Sequence, residues 1–182
     1  MEVTGLAIAG VHHIILSPRT DLRGYFLRSY DQSLFEKAGL HRQWLQENQS
    51  YTALKHTVRG LHFQRPPHTE TKLIRVVQGE ILDVFVDCRP SSPTFGQAGT
   101  HRLAASEPAW LFLPPGIAHG FCSLTDDVVL AYKVDKPFNA EADAGVRWND
   151  PALNIAWPTA TPLVSDKDKN LPTFASVTGM FA

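Results

Sequence analysis

Between Val58 and Val134 the chain breaks into short runs rich in β-branched and aromatic residues. The runs are Val58–His62, Lys72–Val77, Ile81–Asp87, Phe95–Leu103, Ala109–Leu113, Gly120–Leu124 and Val128–Val134. Turn-forming residues separate them: Pro114-Pro115-Gly116, Thr125-Asp126-Asp127, and Gln78-Gly79-Glu80, which is short enough to predict a tight hairpin. Short strands at this spacing indicate an all-β sandwich or barrel rather than an α/β fold.

The flanking segments add little helix. Val11–Leu16 reads as a strand stopped by Ser17-Pro18, and Asp21–Gly24 as a turn leading into a second strand over Tyr25–Tyr30. Ser33–Gly39 is the one good short helix, with Leu34, Phe35 and Ala38 on one face and Gly39 closing it. Trp44–Tyr51 is polar and extended. Beyond Pro137 the chain is loop-rich, and Trp148 and Trp157 read as core anchors. The polar tail from Thr159 has the composition of a disordered end.

The 182 residues suffice for one domain over 1–182 with a substantial core. A net charge of −1 argues against nucleic acid or a membrane surface as the main partner. Cys88 and Cys122, with no Cys-x-x-Cys, read as free thiols in a reducing compartment. The apolar run Leu6–Val11 is far too short to span a bilayer and follows no basic segment, so a cytoplasmic protein is expected. His12 and His13 are adjacent on a strand and should point to opposite faces.

The stretch Gly60–Gly79 concentrates ionisable groups beside these strands. It resembles the first motif of the cupin family of double-stranded β-barrels, which runs Gly, five residues, His-x-His, three or four residues, Glu, six residues, Gly. Gly60 opens the motif and Gly79 closes it, and His68 fills the second histidine position. Pro66 stands in the first histidine position and Lys72 in that of the glutamate. Pro114-Pro-Gly-Ile-Ala-His119 matches the second motif, Pro-x-Gly-x-x-His. A lysine ammonium among the ligands of a divalent metal is unfavourable, so no metal is expected. A metal-dependent cupin enzyme stays open as a rival that would draw on His62, His68, Glu70 and His119.

Without a metal, a lysine in a barrel is able to stabilise a developing oxyanion. His62 suits a general base, and Tyr132 could return a proton as acid. Together they suit proton abstraction beside a carbonyl. The plainer readings are a satisfied polar core residue for His62 or Tyr132, and a solvated edge residue for Lys72.

A longer set of motifs is specific in its order and spacing: Asp21-Leu-Arg-Gly-Tyr-Phe26, Gln46-Glu-Asn48, Arg59-Gly-Leu-His-Phe-Gln64, Lys72-Leu, Asp83-Val-Phe-Val-Asp87, Ser92-Pro-Thr-Phe-Gly96, Pro115-Gly-Ile-Ala-His-Gly-Phe121, Tyr132-Lys, Trp148-Asn-Asp-Pro151 and Ser165-Asp-Lys-Asp168. From about Asp21 to Asp168 the chain resembles the dTDP-4-dehydrorhamnose 3,5-epimerase family, metal-free cupin-fold nucleotide-sugar epimerases. The resemblance implies a cupin-type jelly roll, an intertwined homodimer and a cofactor-free reaction on a nucleoside-diphosphate 4-keto-6-deoxy sugar. It implies His62 as base, Asp168 as its orienting partner, Tyr132 as acid and Lys72 as stabiliser of the enolate oxygen. Arg59, His119 and Lys167 would bind diphosphate or sugar oxygens, and Arg23, Phe26, Gln46 and Asn48 the nucleoside. The tail would then have to fold back to the barrel mouth.

Three positions depart from the family pattern. Arg28 stands where a carboxylate is usual, Glu70 where a glutamine precedes x-Lys-Leu, and Asp143 where a glutamate lies two residues before the Gly145 position. A guanidinium only donates hydrogen bonds and a carboxylate only accepts them, so Arg28 bears on base recognition. Glu70 could pair with Lys72 or with Arg28. The implied substrate is dTDP-4-dehydro-6-deoxy-D-glucose, converted to dTDP-4-dehydro-L-rhamnose. Alternatives are inversion of one centre only, or another nucleotide such as a CDP-sugar.

Overall fold

The computed structural model describes residues 1–181, and fourteen strands and three short α-helices organise them. The strands are β1 (Glu2–Gly5), β2 (His12–Ile15), β3 (Arg19–Asp21), β4 (Gly24–Phe26), β5 (Gln46–Thr52), β6 (Thr57–Gln64), β7 (Lys72–Gln78), β8 (Glu80–Asp87), β9 (Ala98–Ala104), β10 (Ala109–Leu113), β11 (Ile117–Ser123), β12 (Val128–Val134), β13 (Asp143–Gly145) and β14 (Leu163–Val164). The helices are α1 (Gln32–Lys37), α2 (Asp166–Lys169) and α3 (Phe174–Val177). One sheet has the order β1-β2-β10-β7-β12-β5, and the other β13-β6-β11-β8-β9, with β14 beside β6. The two sheets make the all-β sandwich that the strand pattern indicates, in the cupin-like jelly-roll form that the resemblance implies. Among the described residues, no helix is long and apolar enough to cross a membrane.

Alternation along the strands builds the interior. Ile74 and Val76 of β7, Leu111 and Leu113 of β10, and Val128 and Leu130 of β12 meet Ile81 and Phe85 of β8, Leu103 of β9 and Ile117 and Phe121 of β11. Each such side chain, fully buried, contributes about 1.5–3 kcal/mol. On the outer face of the first sheet, Leu73, Trp110 and Phe112 pack against Phe35 of α1 and Leu40. On the outer face of the second, Leu61, Phe63, Val84 and Val86 are covered by Phe174 and Val177. The tail is therefore structured, because a bare apolar sheet face needs a cover and these two residues supply it. Trp148 and Trp157 meet edge to face, 6.0 Å between centroids, over Val58, Cys122 and Val164.

Several boundaries differ from the sequence reading. Gln78-Gly79-Glu80 does not close a hairpin. β7 already has β10 and β12 as ladder partners and β8 has β11 and β9, so neither offers an edge to the other. Gly79 instead carries the chain from one sheet to the other with φ +76°, and a Cβ there would lie 2.6 Å from Thr125 Oγ1. β4 ends at Phe26 rather than Tyr30, and the Phe95 region is a turn, with β9 starting at Ala98. Helix α1 starts one residue early because Asp31 caps it, accepting from the N–H groups of Ser33 and Leu34. His12 lies beside the Phe112 ring, whereas His13 meets His101 in a tilted contact with centroids 4.3 Å apart. Cys88 and Cys122 are buried and free.

Candidate active site

Beyond the apolar core, the same inward faces turn polar around a cavity of about 920 Å³. On the first sheet Lys72 continues the stripe of Ile74 and Val76, and Tyr132 that of Val128 and Leu130. Tyr132 is paired across the ladder with Ile74, and Val134 with Lys72, so the lysine and tyrosine are diagonal neighbours. Across the cavity, His62 of β6 is paired with His119 of β11. A register shift then intervenes, and Phe121 pairs with Arg59. Residues three apart on a regular strand face opposite sides, yet Arg59 and His62 both line the cavity, which the bulge makes possible.

The bulge coincides with a close backbone approach. A Cβ on Gly60 would lie 2.6 Å from the Gly120 Cα, so only glycine fits. The Gly60 N–H points to the tail and donates to Asp168 Oδ2 at 3.1 Å. The other oxygen, Oδ1, is 2.7 Å from His62 Nε2. Ser165 caps α2 by accepting the Asp168 N–H at 3.1 Å, which fixes the carboxylate in place. Burial alone would raise the pKa of Asp168. The bond and charge of His62, with the Gly60 and Ser165 contacts, outweigh burial and hold it below the usual carboxylate value. An ionised carboxylate only accepts hydrogen bonds, so in its neutral form the His62 ring donates from Nε2 and carries its lone pair on Nδ1.

Lys72 Nζ donates to the His62 carbonyl oxygen at 3.0 Å and sits 3.2 Å from Glu70 Oε1. Glu70 thus pairs with Lys72 and not with Arg28, which meets Asp31 at 3.2 Å. Burial, and then the charge of Glu70, raise the pKa of Tyr132, so its hydroxyl is firmly protonated near neutral pH. His119 Nε2 lies 2.8 Å from Asp83 Oδ2. Asp83 is fully buried, and desolvation raises its pKa against the pull of His119.

Gln46 and Asn48 enter the cavity from β5, Asn48 paired with Tyr132 and Gln46 with Val134. The Gln46 Oε1 also accepts the Phe138 N–H at 2.8 Å. The Arg59 guanidinium is steadied by Thr52 Oγ1 at 3.0 Å and the Tyr51 carbonyl at 2.9 Å. Lys167 and Asp143 form a 2.5 Å ion pair at the cavity.

Three residues expected at the nucleoside are elsewhere. Arg23 sits on the exposed β3–β4 hairpin paired with Asp21, Phe26 is 62% exposed, and Arg28 lies beyond the hairpin. None lines the cavity of this chain, because the hairpin is a separate two-stranded sheet with no ladder to either large one. The rival ligand set is not gathered either. His62 and His119 face carboxylate partners, His68 contacts Asn139, and among the described residues no three His, Cys, Asp or Glu side chains are grouped to hold a metal ion. Sequence reasoning missed Asp83 as the partner of His119, and Ser165 as the cap. Alternation did hold a signal for the first, since Ile81, Asp83 and Phe85 share an inward face.

Comparison with known proteins converges on one family. Residues 5–176 match the family model described as dTDP-4-dehydrorhamnose 3,5-epimerase. An enzyme of that name from Shigella flexneri is 42% identical over 160 residues, spanning 86% of this chain and 88% of the relative. The Bacillus anthracis dTDP-4-dehydrorhamnose 3,5-epimerase, solved with TDP and PPi bound, superposes with a TM-score of 0.92 at 42% identity, covering 94% of this chain and 98% of that one. A dTDP-6-deoxy-D-glucose-3,5-epimerase from Legionella pneumophila, solved with dTDP-4-keto-L-rhamnose, gives 0.90 at 32% identity over 96% of this chain and 93% of that one. Sequence match, fold and the arrangement of His, Asp, Lys and Tyr around one cavity agree, and the chain belongs to the dTDP-4-dehydrorhamnose 3,5-epimerase family.

Proposed function

We propose that the cavity epimerises dTDP-4-dehydro-6-deoxy-D-glucose at C3 and C5, giving dTDP-4-dehydro-L-rhamnose. The observation that carries this is His62 on one sheet, paired with Asp168 of α2, facing Lys72 and Tyr132 on the other sheet around a single cavity. The 4-keto group acidifies the hydrogens on both neighbouring carbons. His62 Nδ1 takes a proton and the Asp168 carboxylate stabilises the imidazolium that forms. The Lys72 ammonium stabilises the enolate oxygen, and Tyr132 delivers a proton to the opposite face of the ring. Each step is a proton transfer, so no cofactor enters. Arg59, His119 and Lys167 contact diphosphate and sugar oxygens, Arg59 through its planar fork. Asp143 holds Lys167 in place.

The test is incubation with the proposed substrate in D2O, followed by proton NMR. Loss of signal at both C3 and C5 is expected; loss at one alone would mean a mono-epimerase, and no exchange would reject the substrate. Tyr132→Phe should still exchange, while inverted product falls by roughly 10²- to 10⁴-fold, the usual contribution of a positioned acid. Normal inversion in that variant would remove Tyr132 from the mechanism.

Gln46 and Asn48 take the nucleoside, joined by Arg23, Phe26 and Arg28 from a second copy of the chain in an intertwined homodimer. The exposed hairpin carrying Arg23 and Phe26 supports this, since it lies outside its own chain's cavity. Light scattering should give twice the mass of the 20.2 kDa chain; a monomer would end the reading. Arg28 favours a second reading, selection of a nucleotide other than dTDP, because a donor replaces an acceptor there. Calorimetry with dTDP, CDP, GDP and UDP separates the two. A cytoplasmic location fits the free buried thiols.

A further inference from the structure

Glu70 is a carboxylate in a place where burial is costly. The residue is 9% exposed and lines the cavity. Its Oε1 is 3.2 Å from Lys72 Nζ, and its Oε2 is buried with no hydrogen-bond partner among the described residues. The backbone beside it is anchored, since the Thr71 N–H donates to Asp135 Oδ1 at 2.7 Å. An orphaned carboxylate oxygen so placed is expensive unless a donor arrives with the ligand.

We propose that Glu70 is a substrate-binding residue: on binding, its carboxylate turns to present one oxygen to the sugar hydroxyl on C3, which donates a hydrogen bond to it, while the other oxygen stays paired with Lys72. The proposal rests on the sugar-nucleotide reading above and adds a specificity element to it. An ammonium has three donors. Lys72 donates to the His62 carbonyl and ion-pairs with Glu70, which leaves an N–H free for the C4 oxygen of the sugar. A group next to that oxygen meets a substituent on C3 or on C5. The C5 substituent is a methyl group, which has no proton to donate, whereas the C3 substituent is a hydroxyl. Glu70 therefore selects the ring orientation that puts C3 on its side, and it favours sugars carrying that hydroxyl. An ionised acceptor discriminates more strongly than a neutral amide in the same position.

The test uses ligands that do not react, dTDP-6-deoxy-D-glucose and its 3-deoxy analogue, with dTDP alone as a check on folding and nucleotide binding. In the unmodified protein the 3-deoxy ligand should bind roughly 10- to 100-fold more weakly, the range for a hydrogen bond to a charged group. The ratio should shrink in Glu70→Gln, which keeps an acceptor oxygen, and approach one in Glu70→Ala, while dTDP affinity stays the same in all three. An equal ratio in the unmodified protein and Glu70→Ala, or no discrimination by the unmodified protein, would overturn the assignment. If the unmodified protein bound none of the three ligands and gave no exchange in D2O, the sugar-nucleotide reading itself would fall and Glu70 with it. Those outcomes are distinct, because the first two leave dTDP binding and exchange intact.

Discussion

His62→Ala should reduce deuterium incorporation at C3 and C5 by roughly 10²- to 10⁴-fold, with dTDP affinity nearly unchanged. The base is the only group in the proposed scheme that breaks a carbon–hydrogen bond, so its loss stops both exchange and inversion. This separates it from Tyr132→Phe, which spares exchange. The fold should tolerate the change. His62 lines the cavity rather than the core, and Asp168 keeps the Gly60 N–H and its place on the Ser165-capped helix. Its carboxylate loses one partner and keeps the Gly60 N–H at 3.1 Å. Added imidazole should restore part of the exchange in the variant, since the orienting carboxylate is still there. NMR in D2O and calorimetry with dTDP check both halves. Normal exchange in a folded His62→Ala protein would remove His62 as the base.

Lys72→Met should act on two properties at once. The first is catalysis: without the ammonium the enolate oxygen loses its main stabiliser, at a cost of about 10²–10³ in kcat, as for loss of one oxyanion donor. The second is stability. Lys72 is the cation beside Glu70, and removing one member of a buried pair leaves an uncompensated charge, at about 3–5 kcal/mol. Glu70→Gln in the same chain should return most of the stability and none of the turnover. Urea unfolding and D2O exchange read the two effects separately. If the double variant were as unstable as Lys72→Met alone, the ion pair would not be the source of the loss. Exchange at the unmodified rate would remove Lys72 from the enolate.

Much of this molecule was legible in its sequence because strands announce themselves locally. β10 and β12 have the bounds that the apolar runs predict, and the inward stripe ending in Tyr132 follows from period-2 alternation. The outward set of Leu73, Trp110 and Phe112 follows from the same rule, as does the opposite facing of His12 and His13. Other features were beyond local reading. Gln78-Gly79-Glu80 has the length of a hairpin turn, but strand partners are chosen among all strands, and β7 and β8 found theirs in different sheets. The tail is polar in composition, yet Phe174 and Val177 dock on a sheet face assembled from residues far earlier in the chain.

The sequence by itself determined most of the longer strands, the all-β class, the frame of an altered metal motif, and which residue types were available for proton chemistry, but not the short strands β1, β3, β13 and β14. Only the tertiary structure decided their convergence. It brought Asp168 across 106 positions to His62, assigned Glu70 to Lys72 rather than Arg28, supplied Asp83 to His119, and left Arg23, Phe26 and Arg28 outside the cavity. The bulge between His119 and Phe121 let Arg59 and His62 share one face, against the parity of their spacing. The physical reason is range. Alternation and turns are set by neighbouring residues, whereas a site between two sheets depends on register, bulges and the docking of a distant segment, and those are fixed by packing of the whole interior.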